Sequence, residues 1–387
     1  MRLRDLIVGL AAVAVLVAHA RPPHELPTPA VQAPLADESL ILHVIETPRN
    51  LVAVGERGHV LLSEDGRNWT QAEFVPVHAT LTRVTYADQR LWAVGHDTTI
   101  IHSYDYGQTW TLQYFEPELE KPLLDVDFFD GENGVAVGAY GIFMRTEDAG
   151  RHWDVLNMAD MVTAEAIDWE AAARAMFEEQ GETFPLDEAL DADETAIDGG
   201  DTGIEDEVTS IDDPELAFDE DEYYDESLDF DRGCYEFMEC HLNAFLDLGQ
   251  GYQMIAAERG YGFRSIDGGQ TWESFRFPYS GSMFGLLHLG GDSVLAYGLR
   301  GHVQRSDDFG DTWTVLETGL ESTLMGGTLD RQGRALMVGS GAARLQYDPA
   351  SGRFDLEEDG LGSDYVSVLV APSGTLVLGG ADGLSNE

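Results

Sequence analysis

The chain has 387 residues, with 22 Lys and Arg against 71 Asp and Glu and a formal net charge of −49. Phosphate backbones and anionic lipids are bound through clustered Lys and Arg, so this charge excludes a nucleic-acid-binding protein and a protein that docks directly on anionic lipid. Hydrophobic residues make up 43% of the chain, which is enough to bury a core. Its two cysteines cannot build a disulfide framework or a four-cysteine zinc site.

The first residues have the pattern of an export signal. Two arginines precede an apolar run from Leu6 to Ala18, and Ala18-His19-Ala20 matches a cleavage site. The run is short for a membrane span, which needs about 20 residues, and an uncleaved anchor is the alternative. We expect residues 1–20 to be a signal peptide and the mature protein to be periplasmic. The acidity, with Arg almost replacing Lys, also suits a salt-tolerant bacterium.

A strand-like segment that ends in a small residue recurs along the rest of the chain. Its seven copies end at Gly55, Gly95, Gly138, Ala257, Gly298, Gly339 and Gly379. The spacings between them are 40, 43, 119, 41, 41 and 40 residues. In the second unit, alternating apolar and polar residues predict strands at 81–87, 90–95, 99–103 and 109–114. Four short strands in roughly 40 residues are typical of a propeller blade.

These repeats predict an all-β fold, a seven-bladed β-propeller of four-stranded antiparallel blades. After an extended, proline-rich lead-in at 21–34, we expect blades 1 to 3 within 35–158 and blades 4 to 7 within 241–387. The last unit has sequence for three strands only. Residues 31–35 are expected to supply its fourth strand and so to close the ring.

A second motif, S/T-x-D-x-G-x-x-W, follows each of the first five segments. Its Asp and Trp members are Asp65 and Trp69, Asp105 and Trp110, Asp148 and Trp153, Asp267 and Trp272, and Asp308 and Trp313. Asp and Ser side chains bond nearby backbone N–H groups in turns, and Gly takes a positive φ. We therefore interpret the motif as a structural turn between two outer strands rather than a ligand site. The sixth copy, around Asp348, is degenerate.

The long spacing of 119 residues contains an acidic insertion at 159–240. Residues 159–233 include 28 acidic and two basic residues, a net −26 of the total −49. The apolar spacing predicts a helix over 162–180, and self-repulsion predicts a mobile segment over 185–231. Four of the acids do not have the spacing of a calcium loop, so no metal site is predicted: Asp193, Asp198, Asp201 and Glu205.

Cys234 and Cys240 close the insertion. In an oxidising compartment they can pair across the small loop between them, and two free thiols are the alternative.

The repeat and the motif together resemble the photosystem II stability/assembly factor-like family of BNR-repeat propellers, whose motif is called the Asp box. The match consists of V-A-V-G, then a turn such as Arg57-Gly58 or Arg300-Gly301, then an Asp box; residues 279–285 also look like a family stretch. The resemblance implies a non-enzymatic helper, without a cofactor, that binds a membrane subunit during assembly. The acidic insertion departs from the compact pattern of photosynthetic members. We expect an exported monomeric scaffold for a membrane-associated complex.

A sialidase-like glycosidase, or a passive carbohydrate-binding propeller, is the alternative, because those propellers also carry Asp boxes. Phe275-Arg276-Phe277-Pro278 superficially resembles a sialidase motif. It follows an Asp box in the fourth blade, whereas the sialidase motif precedes the first box. We therefore interpret Arg276 as a strand residue.

Three arginines occupy one repeated position, in the turn between the second and third strands of blades 1, 4 and 5: Arg57, Arg259 and Arg300. Equivalent positions in a ring share one face, and the Arg fork suits carboxylates. We predict that these arginines form part of a partner-binding face. The alternative is that each pairs with an acid of a neighbouring blade. The other blades have Thr98, Tyr140 and Gly341 at this position.

Overall fold

The computed structural model describes residues 26–162, 240–357 and 362–387. These residues form seven antiparallel sheets, six of four strands and one of three, arranged as the blades of a β-propeller. The first strands of neighbouring blades contact one another around the whole ring, including the contact between the last blade and the first. The predicted fold is therefore confirmed. The predicted signal segment 1–20, the mobile segment 185–231 and all but one residue of the helix 162–180 lie outside the described residues.

Blades 1 to 3 each contain four strands. In blade 1 these are β1 Ile41–Glu46, β2 Leu51–Gly55, β3 Val60–Ser63 and β4 Thr70–Gln71; in blade 2, β5 Leu81–Ala87, β6 Arg90–Gly95, β7 Thr99–Ser103 and β8 Thr111–Tyr114; in blade 3, β9 Leu123–Phe128, β10 Gly134–Gly138, β11 Ile142–Thr146 and β12 Asp154–Asn157. The prediction for blade 2 is thus correct for three strands. The fourth begins two residues late, because Thr109 and Trp110 belong to the Asp-box turn.

Blades 4 to 7 continue the pattern. Blade 4 has β13 Leu242–Gly249, β14 Tyr252–Ala257, β15 Tyr261–Ser265 and β16 Glu273–Arg276; blade 5, β17 Met283–Gly290, β18 Ser293–Gly298, β19 Val303–Ser306 and β20 Thr314–Leu316; blade 6, β21 Leu324–Leu329, β22 Ala335–Gly339, β23 Arg344–Asp348 and β24 Arg353–Glu357; blade 7, β25 Tyr365–Val370, β26 Leu376–Gly380 and β27 Gly383–Asn386. Short 3₁₀ turns are Ala36–Glu38, Glu56–Gly58, Pro117–Leu119, Ala139–Gly141, Leu299–Gly301 and Ser340–Ala342, and one α-helix is Met158–Met161. No described helix has the length and apolar character that crossing a membrane requires.

The glycine that ends each second strand is required by close backbone approach. A Cβ on Gly55 would lie 2.1 Å from the carbonyl oxygen of Leu40, at the start of the first strand. In blade 7 the equivalent residue is Gly380, which pairs with Tyr365 as Gly55 pairs with Ile41. The predicted position, Gly379, was one residue early, because two consecutive glycines leave the sequence alignment ambiguous.

The core consists of one apolar layer between each pair of neighbouring blades. Between blades 1 and 2, Val52 and Val54 pack with Leu91, Ala93 and the Asp-box residue Trp110. Each box tryptophan packs in the layer shared with the preceding blade. The outer strand of one blade is therefore tied to the inner strands of the blade before it, and the ring is stabilised by burial at every junction.

The predicted closure of blade 7 by residues 31–35 is wrong. Those residues form no strand, and the sheet of blade 7 has three strands. The lead-in lies along blade 1 instead, where Gln32 Nε2 donates to the Ala72 carbonyl over 2.7 Å and Ala33 N–H donates to Gln71 Oε1 over 2.9 Å. Prolines in the lead-in lack the N–H that a ladder needs. Between the last and first blades, Val44 N–H donates to Ser367 Oγ over 3.0 Å.

The acidic insertion interrupts one of the connections between blades. The chain leaves blade 3 through Met158–Met161, and Trp272 N–H donates to the Met161 carbonyl over 2.9 Å. The uninterrupted connection from blade 1 makes the same contact, because Trp110 N–H donates to the Phe74 carbonyl over 3.0 Å. The chain returns at Cys240, which is buried and disulfide-bonded. Cys234 lies outside the described residues, so the Cys234–Cys240 pair stays a prediction.

Candidate binding face

The turns between second and third strands lie at one end of the ring, together with the connections from each blade to the next. Strand direction alternates within an antiparallel sheet, so these two kinds of loop share an end. Backbone contacts join them: Gly141 N–H donates to the Cys240 carbonyl over 2.8 Å, and Ala342 N–H donates to the Ser363 carbonyl over 3.0 Å. We term this end the turn face.

The repeated arginine position has an unusual backbone conformation. Arg57, Arg259 and Arg300 have φ of 56°, 57° and 53°, in the left-handed region. The glycine after Arg300 is required, because a Cβ on Gly301 would lie 2.2 Å from the Leu320 carbonyl oxygen. A left-handed residue other than Gly or Asn costs about 1 kcal/mol or more. The Arg-Gly sequence thus directs an Arg side chain away from the packed turn at some cost in stability.

The three arginines are exposed on the turn face. Arg57 has a 63% exposed side chain, and the described carboxylate that pairs with it is Glu56 in its own turn, at 3.9 Å. Arg300 forms no ion pair with any residue that the structure describes. For Arg57 and Arg300, the alternative of pairing with an acid of a neighbouring blade is therefore not seen within the described ranges.

The ring brings two of the arginines together and separates the third. Arg259 and Arg300 belong to neighbouring blades 4 and 5, whereas Arg57 is in blade 1, across the ring from both. This separation agrees with the predicted assignment of the three arginines to blades 1, 4 and 5 of a seven-bladed ring. The predicted site therefore divides into a two-arginine region and a single remote arginine.

Aromatic rings lie beside the arginines of blades 4 and 5. The Tyr279 ring stacks on His302 with centroids 3.5 Å apart, and the Arg276 guanidinium lies 3.8 Å above the Tyr261 ring. Arg276 also donates to the Arg259 carbonyl over 2.8 Å. We define the Arg–aromatic patch as Arg259, Arg276, Tyr279, Arg300 and His302. The sequence marked 279–285 as a family-like stretch, but only the structure places Tyr279 against the patch.

Arginines supply the positive charge of this patch. Burial, the largest influence, lowers the pKa of His302, so that its ring is neutral near pH 7. Burial likewise lowers the pKa of His59, the equivalent residue beside Arg57. Guanidinium groups beside flat rings favour planar, carboxylate-bearing or amide-bearing ligands.

Carboxylates on the turn face make its charge differ from blade to blade. Asp364 accepts from Gly341 N–H over 2.9 Å, and Glu258 accepts from His241 N–H over 3.0 Å. Blade 7 has Asp382 in its corresponding turn, where blades 1, 4 and 5 have arginine. A ligand that spans the face therefore meets an arginine in the turns of blades 4 and 5, with Glu258 beside Arg259 in blade 4, and a carboxylate in the turn of blade 7.

The Asp boxes have the geometry of structural turns, as the sequence indicates. In blade 2, Thr109 N–H donates to Asp105 Oδ1 over 2.9 Å, and Trp110 Nε1 donates to the Gly107 carbonyl over 2.9 Å. Hydrogen bonds from His152 lower the pKa of Asp148 to about 2 in blade 3. The carboxylates are thus ionised and bonded within their own loops. Among the described residues, no three His, Cys, Asp or Glu side chains are grouped to hold a metal.

The central channel contains a second group of charges. Arg83 Nε lies 2.9 Å from Asp125 Oδ1, and Asp125 also accepts from Phe245 N–H over 2.9 Å. Burial and then the Asp125 charge raise the pKa of Asp127 to about 7. The channel charges bond to the inner strands of several blades and lie apart from the Arg–aromatic patch.

The chain is a seven-bladed β-propeller, and comparison with known proteins agrees at the level of fold. No sequence profile of a known family and no curated protein matches the chain. It is similar to a structure described as YCF48 bound to D1 peptide, with a TM-score of 0.57 and 14% identity over 95% of this chain and 98% of that one. The chain is also similar to the structure of YCF48 from Cyanidioschyzon merolae, with a TM-score of 0.58 and 15% identity over 92% of this chain and 96% of that one.

A third similar structure is the WD40 β-propeller domain of Doa1, with a TM-score of 0.58 and 11% identity over 93% of this chain and 95% of that one. At these identities the similarity establishes the propeller fold alone. The residues of the Arg–aromatic patch therefore stand on their own geometry.

Proposed function

We propose that this protein is an exported, non-enzymatic scaffold that binds a segment of a membrane-associated protein on the Arg–aromatic patch and assists the assembly or stability of its complex. The single observation that carries the proposal is the pair of exposed, left-handed arginines on neighbouring blades, Arg259 and Arg300, beside stacked aromatic rings. The turn conformation recurs in blades 2 and 3, where Asp97 and Tyr140 have positive φ, so the proposal is supported by the exposed arginines that two neighbouring turns both present.

The ligand chemistry follows from the patch. Two guanidinium groups with neutral aromatic neighbours suit an extended segment with a carboxylate, either an acidic side chain or a free carboxyl end. The chain's remaining charge is strongly negative, which favours partners that also expose basic segments and speeds their encounter. The similar structure of YCF48 bound to D1 peptide supports a peptide-binding role for propellers of this shape. The export signal predicted at 1–20 is the basis for proposing a location outside the cytoplasm.

The experiment is affinity capture from detergent-solubilised membranes with the purified chain as bait. We expect one membrane protein to be recovered at low salt and less of it at high salt, because exposed charge pairs are screened. Arg259→Ala with Arg300→Ala should lower recovery at least tenfold. Arg67→Ala with Arg151→Ala removes two exposed arginines from Asp-box turns and is the matched control.

Two outcomes contradict the proposal. One is equal recovery by the patch variant and the control variant. The other is turnover of a sialoside or aryl glycoside that Arg276→Ala abolishes, which would support the glycosidase alternative. Arg57→Ala tests whether the remote arginine belongs to the same binding surface. We expect this variant to lower recovery of the membrane protein less than the patch variant does.

A further inference from the structure

Blade 7 presents an outer strand edge that no other described strand covers. β27 is the last strand of its three-stranded sheet. Leu376 and Glu387 exchange both backbone hydrogen bonds at 3.0 Å, so antiparallel alternation turns the N–H and C=O groups of Leu384 and Asn386 away from β26. This edge is independent of the turn face and of the function proposed above.

The apolar layer between blades 6 and 7 lacks the outer-strand aromatic that fills the other layers. Those layers contain Trp69, Trp110, Trp153, Trp272, Trp313 and Phe354. In the layer between blades 6 and 7 only Val338, Val368 and Leu378 are buried. Leu336 and Leu376 remain half-buried there, although the equivalent Val52 and Leu91 are 0% exposed.

An open cleft of about 300 Å³ lies where that aromatic would be, lined by Leu336, Val338, Arg344, Val368, Leu376 and Glu387. A small residue lies in the same layer: Ser385 pairs with Leu378 where Ile101 pairs with Ala93 in blade 2. Ser385 Oγ is buried and has no hydrogen-bond partner. The cleft adjoins the exposed strand edge, so a single extended segment can satisfy both.

We propose that blade 7 binds an extended segment of a partner protein by strand addition, with an aromatic side chain of that segment inserted in the cleft. The chain's own blades show the arrangement, because five of them place a box tryptophan at the start of the outer strand. Backbone hydrogen bonds to Leu384 and Asn386 supply affinity, and the cleft selects the aromatic residue.

The charge of the cleft indicates which residues are expected beside the aromatic residue in the partner segment. The charged residues lining the cleft are Arg344, Asp355 and Glu387, and Arg344 donates to Glu387, so net negative charge remains. A Lys or Arg beside the aromatic residue complements it. A second copy of this chain is disfavoured as the occupant, because β27 has no aromatic residue and each copy has a net charge of −49.

The test uses a fluorescent peptide with the sequence of residues 107–114 and a Lys at each end, titrated into the full chain and followed by anisotropy. We expect saturable binding of this peptide. The affinity of a peptide with Trp110→Ala should be at least tenfold lower. In the protein, Asn386→Pro removes an outward N–H and should weaken binding about tenfold, whereas Asn386→Ala keeps the N–H and should bind normally. Ser385→Phe should fill the cleft and abolish binding.

Melting temperatures of the variants show whether each is folded, and Ser385→Phe should melt at or above the parent temperature. The proposal is overturned if no peptide binds, if the Trp110→Ala peptide binds equally, or if Asn386→Pro has no effect. Loss of binding only in the Arg259→Ala, Arg300→Ala variant would place the peptide on the turn face instead. A concentration-dependent dimer that Asn386→Pro disrupts would identify a second copy as the occupant.

Discussion

Two side chains, one in the channel and one in a turn, lower the stability of the folded protein. Asp127 is held in a desolvated channel beside Asp125, and its raised pKa means that ionisation opposes folding. Arg300 is held in a left-handed turn that favours glycine. Each leads to a prediction in which a conservative substitution stabilises the protein.

Asp127→Asn is expected to stabilise the protein at alkaline pH and not at acidic pH. The folded pKa is about 7, above the unfolded value of about 4. Stability therefore falls as pH rises from about 4 to about 7, because the unfolded chain releases the proton first. At pH 8 the Asn variant should melt about 3 °C or more above the parent, and at pH 4 the two should coincide.

The control is Asp130→Asn in the same hairpin. Hydrogen bonds from Asn133 and Glu132 lower the pKa of Asp130, so its contribution is present above pH 4 and lost as pH falls below it. This variant should melt below the parent at pH 8. Thermal melting from pH 4 to pH 8 measures both variants, and parallel curves for parent and Asp127→Asn would contradict the assignment.

Arg300→Gly is expected to raise stability and to impair binding. Glycine removes the left-handed cost of about 1 kcal/mol, which corresponds to roughly 2 °C in melting temperature. Gly341 already occupies this position in blade 6. Gly301→Ala at the adjacent residue is the opposing control and should destabilise, because its Cβ would meet the Leu320 carbonyl at 2.2 Å. A lower melting temperature for Arg300→Gly would show that the side chain supports the fold.

At the scale of an element, the outer strand of each blade is attached through its first aromatic residue. The box tryptophan packs in the layer shared with the preceding blade, so the Asp-box turn fixes both the hairpin and the junction. Trp272 is 1% exposed, whereas Trp69 is half-buried at the junction with blade 7. The junctions of the ring are therefore unequally packed.

Trp272→Ala is expected to lower the free energy of unfolding by about 3–5 kcal/mol, the usual cost of deleting a buried aromatic side chain. Trp69→Ala should cost less, because part of its ring already faces solvent. Denaturant titration of both variants gives the comparison. Equal costs would mean that burial at the junction does not determine how firmly an outer strand is attached.

At the scale of the whole molecule, the ring is continuous although the sequence is interrupted. The chain leaves the ring at Met161, before the acidic insertion, and re-enters it at Cys240. Both residues make backbone contacts that uninterrupted connections also make. The described blades on either side have all four strands. Long insertions in a loop add little closure entropy, so the propeller should not depend on this segment.

Excising residues 163–233 and joining the ends with a short Gly/Ser linker is expected to leave the melting temperature within about 3 °C of the parent. The deletion keeps Cys234 and Cys240, so the predicted pair is not disturbed. Differential scanning calorimetry measures the transition. A large fall would show that the excised residues pack against the ring, and capture of the membrane partner by the same variant tests whether they contribute to encounter.

The number of blades, most of the strands within them and the Asp-box turns could be predicted from the amino-acid sequence alone. These features are local: Thr109 bonds Asp105, and Gly55 permits one close backbone approach within its own blade. The three-dimensional structure was needed to show that Asp125 bonds Arg83 and Phe245 of the neighbouring blades, that Tyr279 stacks on His302, and that the lead-in lies on blade 1. Those contacts join residues that are distant in the sequence, so packing in the folded chain sets them rather than any local pattern.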